Sequence, residues 1–158
     1  ASPRFHEGII RLNLIAPLHV AQLANAAMQA QPDGGTIIFV GSISALRPSP
    51  GTAAYGAAKA GIVSLAASLA VEWAPKVRVL TVSPGLVRTE QSHLHFGDEA
   101  GLAAVASTIP AGRLATPEDI GNACLFLASP LAGYAAGANL LLNGGGERPA
   151  FLAASNTD

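Results

Sequence analysis

Short apolar runs alternate with helical patterns along this chain, and this alternation is the feature that most constrains its fold. The runs TIIFVG (36–41), VRVLTVSPG (77–85) and ANLLLN (138–143) are rich in Val, Ile and Leu and are bounded by Gly, Pro or Asn. Their length and composition predict buried strands. Strands that are apolar on both faces are typical of a parallel sheet with helices on each side. The sequence therefore predicts an α/β fold whose strands are joined by helices.

Two long helices are predicted around the first strand. Apolar residues recur at spacings of three and four over residues 4–30, where Pro17 is expected to kink the helix. A second helical pattern runs from about residue 53 to 74 and ends before Pro75. Both segments are Ala-rich and apolar on more than one face, so we expect them to pack against partner helices as well as the sheet.

The second half of the chain is less regular. Residues 86–115 lack a clear period, which predicts a long loop with one short helix. In the following TPED motif, Thr116 can cap a helix, Pro117 suits its first position and Asp119 can complete a capping box. These signals predict a helix from there to about residue 128, followed by the third strand, three glycines and a polar tail.

Composition narrows the possible partners and compartment. Only 12% of the 158 residues are charged and the net charge is −1, which argues against a nucleic acid or an anionic membrane as partner. Cys124 is the only cysteine, so no intrachain disulfide can form. We see neither a signal-peptide pattern nor about 18 uninterrupted apolar residues, and we therefore expect a soluble cytoplasmic protein.

One apolar stretch, SPGTAAYGAAKAG (49–61), carries a phenol and an ammonium four residues apart. Tyr55 and Lys59 share one face of the predicted helix, and an ammonium beside a phenol favours the phenolate and lowers its pKa. A tyrosine tuned in this way can exchange a proton near neutral pH. Such a pair taken alone is more often a surface neighbourhood. Ser42, just beyond the first strand, adds a hydroxyl at the sheet edge where ligands of parallel α/β proteins bind.

The spacing of Ser42, Tyr55 and Lys59 resembles the active-site pattern of the short-chain dehydrogenases/reductases, and the resemblance runs along essentially the whole chain. Asn13 in RLNLIAP matches the helix asparagine of that family's catalytic tetrad. SPGLVRT (83–89) resembles its Pro-Gly segment, and GRLATPEDIGNACLFLAS (112–129) with the end of ANLLLNGG resembles its C-terminal part.

The resemblance implies hydride transfer between a nicotinamide cofactor, either NAD or NADP, and an alcohol or carbonyl substrate. Tyr55 would be the acid/base, and Lys59 would tune it and hold the nicotinamide ribose. Ser42 would orient the substrate oxygen, while Asn13 would position a water that links Lys59 to solvent. The cofactor-binding residues implied beside Tyr55 and Lys59 are Pro84, Gly85, Val87 and Thr89.

The resemblance also makes residues 90–115 a mobile loop over the substrate. His93, His95 and Phe96 are candidates for shaping the pocket, and Ser44 could face the substrate beside Ser42. A metal site at His93 and His95 is disfavoured because no third ligand stands at a recognisable spacing. A serine hydrolase is disfavoured because no G-x-S-x-G motif surrounds Ser42.

One departure from the family is large. The family begins with a strand, a Gly-rich turn that binds pyrophosphate and a helix, and this element is not found in the sequence. Residues 1–158 are therefore expected to form a single partial domain, an incomplete Rossmann-like doubly wound parallel sheet with flanking helices. Two hypotheses remain: part of an oxidoreductase that is inactive in isolation, or a non-catalytic relic acting as an oligomerising or regulatory partner. By family resemblance, helices 4–30 and 53–74 would form a homodimer or homotetramer.

Overall fold

The computed structural model describes residues 1–154, which contain three strands covered by helices. The strands are β1 (Gly35–Val40), β2 (Val77–Pro84) and β3 (Asn139–Leu142). The α-helices are α1 (Pro3–Ile10), α2 (Ala16–Ala30), α3 (Ala53–Trp73), α4 (His93–Phe96), α5 (Glu99–Thr108), α6 (Pro117–Ala128) and α7 (Ala150–Ala154). Short 3₁₀ turns cover Ile43–Ala45 and Pro130–Ala132. The last four residues of the predicted domain lie outside the described residues.

The strands form one parallel sheet in the order β1-β2-β3, which confirms the predicted α/β class. Gly35 pairs with Val77, and Thr81 pairs with Asn139. The central strand β2 has neighbours on both sides and is almost fully buried, in keeping with its continuous apolar run.

Helices cover the two faces of this sheet. On one face, α2 and α3 pack against β1 and β2 through a cluster that includes Ala21, Phe39, Ile62, Ala66 and Val79. On the other face, α6 contributes Leu127, which packs with Leu80 and Val82. Ile120 and the single cysteine, Cys124, also pack in this second cluster. Alternate residues of β2 therefore pack into the two hydrophobic clusters on opposite faces of the sheet.

The helix predicted over residues 4–30 is interrupted by a π-helical turn just before Pro17, where a simple kink was expected. α1 and α2 are joined by a π-helical turn over Arg11–Ile15, where the amide of Ala16 donates to the carbonyl of Arg11. Pro17 follows at once and has no amide hydrogen for the carbonyl of Asn13, so the regular helical bond cannot form there. The proline effect therefore takes the form of a π turn around Asn13.

The prediction of one short helix in residues 86–115 is wrong, because α4 and α5 both lie there. The side chain of Asp98 accepts from the amide of Gly101 and caps α5. Leu102 of α5 is buried with Ile109 and Leu114 in a small satellite cluster. The Ala-rich sequence of α5 shows little polar–apolar alternation, which hides its helical period. The tail predicted to be polar also contains the short helix α7.

Helix α3, with 21 residues, is long and apolar enough to cross a membrane by length and composition alone. It also contributes Ile62, Ala66 and Leu69 to the core beside the sheet. A core helix passes the same test, so this property is weak evidence for a membrane span. Its place in the core positions the start of α3 beside the carboxyl end of β1.

Candidate active site

The carboxyl end of β1 leads directly into a tight polar turn. Gly41 donates its amide to the carbonyl of Val82 at 2.7 Å, which extends the pairing with β2 by one residue. Ser42 follows in extended conformation, and its Oγ accepts from the amide of Ser44 at 3.1 Å. This bond caps the 3₁₀ turn Ile43–Ala45 and holds the Ser42 hydroxyl at the sheet edge where the sequence predicts it.

A chain of hydroxyl groups stabilises the loop beyond this turn. Ser49 Oγ donates to Ser44 Oγ at 3.3 Å, and the hydroxyls of Ser49 and Thr52 share a further hydrogen bond. Ser44, a predicted substrate contact, therefore already engages its own loop. Ser49 and Thr52 are missed by the sequence reasoning, although their spacing before a helix is a recognisable turn signal.

Gly56 brings this loop against the first turn of α3. A Cβ atom at Gly56 would lie 2.9 Å from the carbonyl oxygen of Ser44 and 3.3 Å from Ser49 Cβ, closer than ordinary contact. The absence of a side chain therefore allows the Ser42 loop to lie against the residue next to Tyr55. This close approach places the predicted Ser42 and Tyr55 on adjoining elements.

Tyr55 and Lys59 occupy successive turns of α3, and both side chains are half-buried. Lys59 Nζ lies 5.5 Å from the centroid of the Tyr55 ring and donates to the carbonyl of Val40 at 2.9 Å. Burial lowers the pKa of Lys59 from its ordinary value. The ammonium is thus fixed between the phenol ring and the end of β1.

Asn13 and Lys59 both line one groove. This groove has a volume of about 490 Å³ and runs between α2 and β1, with Val40 and Pro17 among its other lining residues. Asn13, in the π turn, donates its Nδ2 to the carbonyl of Ile9 in α1 at 3.1 Å. The structure therefore brings Asn13 and Lys59 to one cavity.

The predicted nicotinamide segment leaves the sheet beside β3. Gly85 donates its amide to the carbonyl of Leu142 at 2.8 Å, and Val87 forms a bridge with Ala115. The amide of Thr89 donates to Ser92 Oγ at 2.8 Å. Ser92 is buried and fixes this turn, and the sequence reasoning missed it because an isolated serine in an irregular segment carries no clear signal.

The predicted lid residues lie farther from this set. His93 and His95 are exposed on α4, whereas Phe96 is half-buried and packs on the satellite cluster. His93 shares a depression of about 450 Å³ with Thr89, so it adjoins the nicotinamide segment and not the Lys59 groove. Within residues 1–154 no group of three His, Cys, Asp or Glu residues could hold a metal ion.

The residues present fit the nicotinamide half of a dinucleotide. A partly desolvated ammonium suits ribose hydroxyls, and the Pro84–Thr89 backbone emerges at the carboxyl edge of a parallel sheet. Gly144–Gly146 form a positive-φ turn after β3 and are followed by a loop and the five-residue α7. Among the described residues this run is thus not the strand–turn–helix that binds pyrophosphate.

The parallel sheet with helices on both faces is a Rossmann-like α/β fold, and the polar residues described above lie at its carboxyl edge. Residues 3–147 match the family model described as enoyl-(acyl carrier protein) reductase. The chain is 39% identical over 138 residues to 3-oxoacyl-[acyl-carrier-protein] reductase FabG of Vibrio harveyi, covering 87% of this chain and 55% of that protein. The chain belongs to the short-chain dehydrogenase/reductase family.

Solved structures of dehydrogenases share the fold of this chain. A 4-hydroxyisoleucine dehydrogenase complexed with NADH superposes with a TM-score of 0.82 at 29% identity, covering 91% of this chain and 60% of that one. A gluconate 5-dehydrogenase from Burkholderia cenocepacia, in complex with NADP and tartrate, gives 0.83 at 27% identity, covering 92% and 57%. The chain spans between a quarter and about half of the length of the curated relatives it matches.

Proposed function

We propose that this chain supplies the catalytic and substrate-binding portion of an NAD(P)-dependent oxidoreductase acting on a small alcohol or carbonyl compound. The observation that carries the proposal is the placement of Lys59 Nζ 5.5 Å from the Tyr55 ring, on the helix that lies against the Ser42 loop. A proton donor, its neighbouring cation and an oxygen-orienting hydroxyl are the groups that carbonyl reduction requires of a protein.

In this proposal the bound nicotinamide supplies or accepts the hydride. Tyr55 gives its phenolic proton to the substrate oxygen during reduction and takes it back during oxidation. The Lys59 ammonium stabilises negative charge on the Tyr55 oxygen and binds the ribose hydroxyls. The Ser42 hydroxyl donates to the substrate oxygen and orients it.

Asn13 has a separate proposed role. It lines the same groove as Lys59, and a water held there would connect the ammonium to solvent as a proton path. Pro84, Gly85, Val87 and Thr89 would hold the nicotinamide end. Ser44, His93, His95 and Phe96 would shape the substrate side. NADH and NADP in the two solved relatives support a nicotinamide cofactor without selecting between NAD and NADP here.

The rest of the dinucleotide would be held by protein outside residues 1–154. β1 pairs only with β2 among the described strands, and Val40 at its end is half-exposed, so an edge is open for a further strand. The relatives' greater length is consistent with residues 1–158 being one partial domain of a larger fold. We propose a cytoplasmic setting, no nucleic-acid partner and no membrane partner.

A fluorescence titration of the isolated 158-residue polypeptide with NADH and NADPH tests whether cofactor binding needs protein outside this chain. We expect no micromolar binding, because the described residues include no pyrophosphate-binding turn. In parallel, the complete protein is assayed with both cofactors against a panel of ketones, aldehydes, sugars and alcohols. Cofactor-dependent turnover by the complete protein supports the proposal, and its absence across the panel would contradict it.

A second candidate function is non-catalytic association, favoured by the exposed apolar side chains of the first helices. Phe5, Leu12, Val20 and Leu23 are each more than half exposed. We propose that these helices and α3 form a homodimer or homotetramer, whether or not the complete protein is an enzyme. A purely oligomerising relic would self-associate in analytical ultracentrifugation and show no turnover with either cofactor.

A further inference from the structure

An ion pair joins the loop that follows Ser42 to the turn that follows β3. Arg47 Nη2 lies 2.7 Å from Glu147 Oε1, and the two side chains are 32% and 43% exposed. Arg47 Nε is itself buried. The pair is therefore partly shielded from solvent and is screened less than a fully exposed one.

The Arg47 end of this pair belongs to the same hydrogen-bonded loop as the candidate catalytic serine. Ser42 bonds Ser44, and Ser44 bonds Ser49, so residues 42–49 form one connected unit. Arg47 Nη1 also donates to the carbonyl of Pro48 at 2.9 Å. The guanidinium thus fixes the tip of this loop to its own backbone and to Glu147 at once.

The Glu147 end is held by two other segments. The amide of Gly146 donates to the carbonyl of Asn143 at 3.0 Å, which closes the turn after β3. The amide of Ala111, at the end of the region carrying α4 and α5, donates to the carbonyl of Gly144 at 2.9 Å. Glu147 therefore sits where the C-terminal segment meets the end of the proposed lid region.

We infer that Arg47 and Glu147 form a positioning pair that fixes the Ser42 loop against the turn after β3 and thereby builds one rim of the substrate cleft. The inference rests on the proposed function for its kinetic consequence. Glu147 lines a depression of about 640 Å³ together with Thr108 and with Arg148, Pro149, Ala150 and Leu152, which extends this rim. The proposed cofactor contacts form their bonds elsewhere, with Lys59 on Val40 and Thr89 on Ser92.

Steady-state kinetics of the complete protein that contains this chain test whether the Arg47–Glu147 pair positions the rim of the substrate cleft. Arg47→Met and Glu147→Gln should each raise the KM for the carbonyl or alcohol substrate about two- to fivefold, in line with a partly exposed pair. The KM for the nicotinamide cofactor should stay within about twofold. The double variant should be no worse than either single variant, and the reversed pair Arg47→Glu with Glu147→Arg should recover most of the loss.

Two charge-removing controls are available away from this loop. Asp33→Asn, in the turn before β1, and Glu118→Gln, in α6, alter exposed residues outside the proposed site and the proposed subunit interface, and both should leave the substrate KM unchanged. Additive effects of the Arg47 and Glu147 variants, or no recovery in the reversed pair, would overturn the inference.

Hydrogen exchange provides a readout that does not depend on turnover. Arg47→Met should speed amide exchange in residues 144–147 as well as in its own loop, and Glu147→Gln should speed it in residues 42–49. Faster exchange confined to the mutated segment would refute the coupling even if the protein is active. Coupled exchange in a protein without any turnover would instead leave the pair established and refute the proposed function.

Discussion

Replacing Gly56 with Ala probes how closely the Ser42 loop must lie against α3. The new methyl group would stand 2.9 Å from the carbonyl oxygen of Ser44, roughly 0.5 Å inside ordinary van der Waals contact. That atom belongs to the backbone, so the 3₁₀ turn itself must move. Ser42 is bonded to the same turn and would move with it.

Two opposing free-energy terms decide the effect on stability. Ala in place of Gly favours a helix by about 1 kcal/mol. Overpacking at a close backbone contact costs about 1–3 kcal/mol. We therefore expect Gly56→Ala to lower the free energy of unfolding by up to about 2 kcal/mol. Since a 1 Å misplacement can reduce turnover roughly 100-fold, a shift of about half that size should reduce kcat/KM roughly tenfold.

Gly121→Ala is the matched control, because Gly121 also lies inside a helix and a Cβ there would meet no atom within 4 Å. It should raise the free energy of unfolding by up to about 1 kcal/mol and leave turnover unchanged. Urea unfolding gives the stability change from the midpoint at constant slope, and steady-state kinetics gives the activity. The close-contact reasoning fails if Gly56→Ala stabilises the protein as much as Gly121→Ala and keeps full kcat/KM.

Three further predictions concern stability. Arg78 donates to the carbonyls of Leu127, Ala128 and Ser129 at the end of α6 and of Ala132 in the following 3₁₀ turn. Arg78→Met should lower the free energy of unfolding in urea by about 3 kcal/mol, at about 1 kcal/mol for each of the three less exposed bonds. Arg78→Lys should give a loss between those of the wild type and Arg78→Met. A loss below about 1 kcal/mol for Arg78→Met would contradict this. The hydrogen bond from the Arg113 guanidinium holds the pKa of Asp119 well below its ordinary value, so its stabilisation is present above about pH 4 and is lost as the pH falls further. The destabilisation by Asp119→Asn should therefore shrink on acidification below about pH 4, and a pH-independent difference would refute the assignment. Burial lowers the pKa of Lys59, so the unfolded state binds the proton more tightly than the folded state. The free energy of unfolding should therefore rise with pH between the lowered pKa and about 10.5. Lys59→Met should remove that rise, and a variant with the wild-type pH profile would contradict this prediction.

Much of the fold follows from local sequence signals. The three strands lie within a residue of their predicted bounds because short apolar runs end at Gly, Pro or Asn. The predicted capping box is confirmed: Thr116 Oγ1 accepts from the amide of Asp119, and the Asp119 carboxylate accepts from the amide of Thr116. α5 was missed because Ala and Gly give little amphipathic contrast, although Asp98 before it is a helix-capping signal.

In the candidate site, too, some features can be predicted from the sequence and others depend on the fold. The types and spacing of Ser42, Tyr55 and Lys59 are visible in the sequence. The bond from Lys59 to the carbonyl of Val40 is not, because any residue offers a backbone carbonyl and only the fold selects one. The pairing of Arg47 with Glu147 is equally hidden, since the two residues are far apart in the sequence and meet only when the segments around the sheet are assembled.

The two tyrosines of this chain allow the most direct test of the central claim, that Tyr55 is the acid/base of a nicotinamide-dependent reaction. Tyr55→Phe and Tyr134→Phe each remove one hydroxyl, and Tyr134 is fully exposed. The assay follows the absorbance of the reduced nicotinamide in the complete protein under saturating cofactor. Tyr55→Phe should reduce kcat by about 100- to 10,000-fold with an intact fold, and Tyr134→Phe should leave kcat within about twofold. A Tyr55→Phe variant that turns over at the wild-type rate would contradict the account.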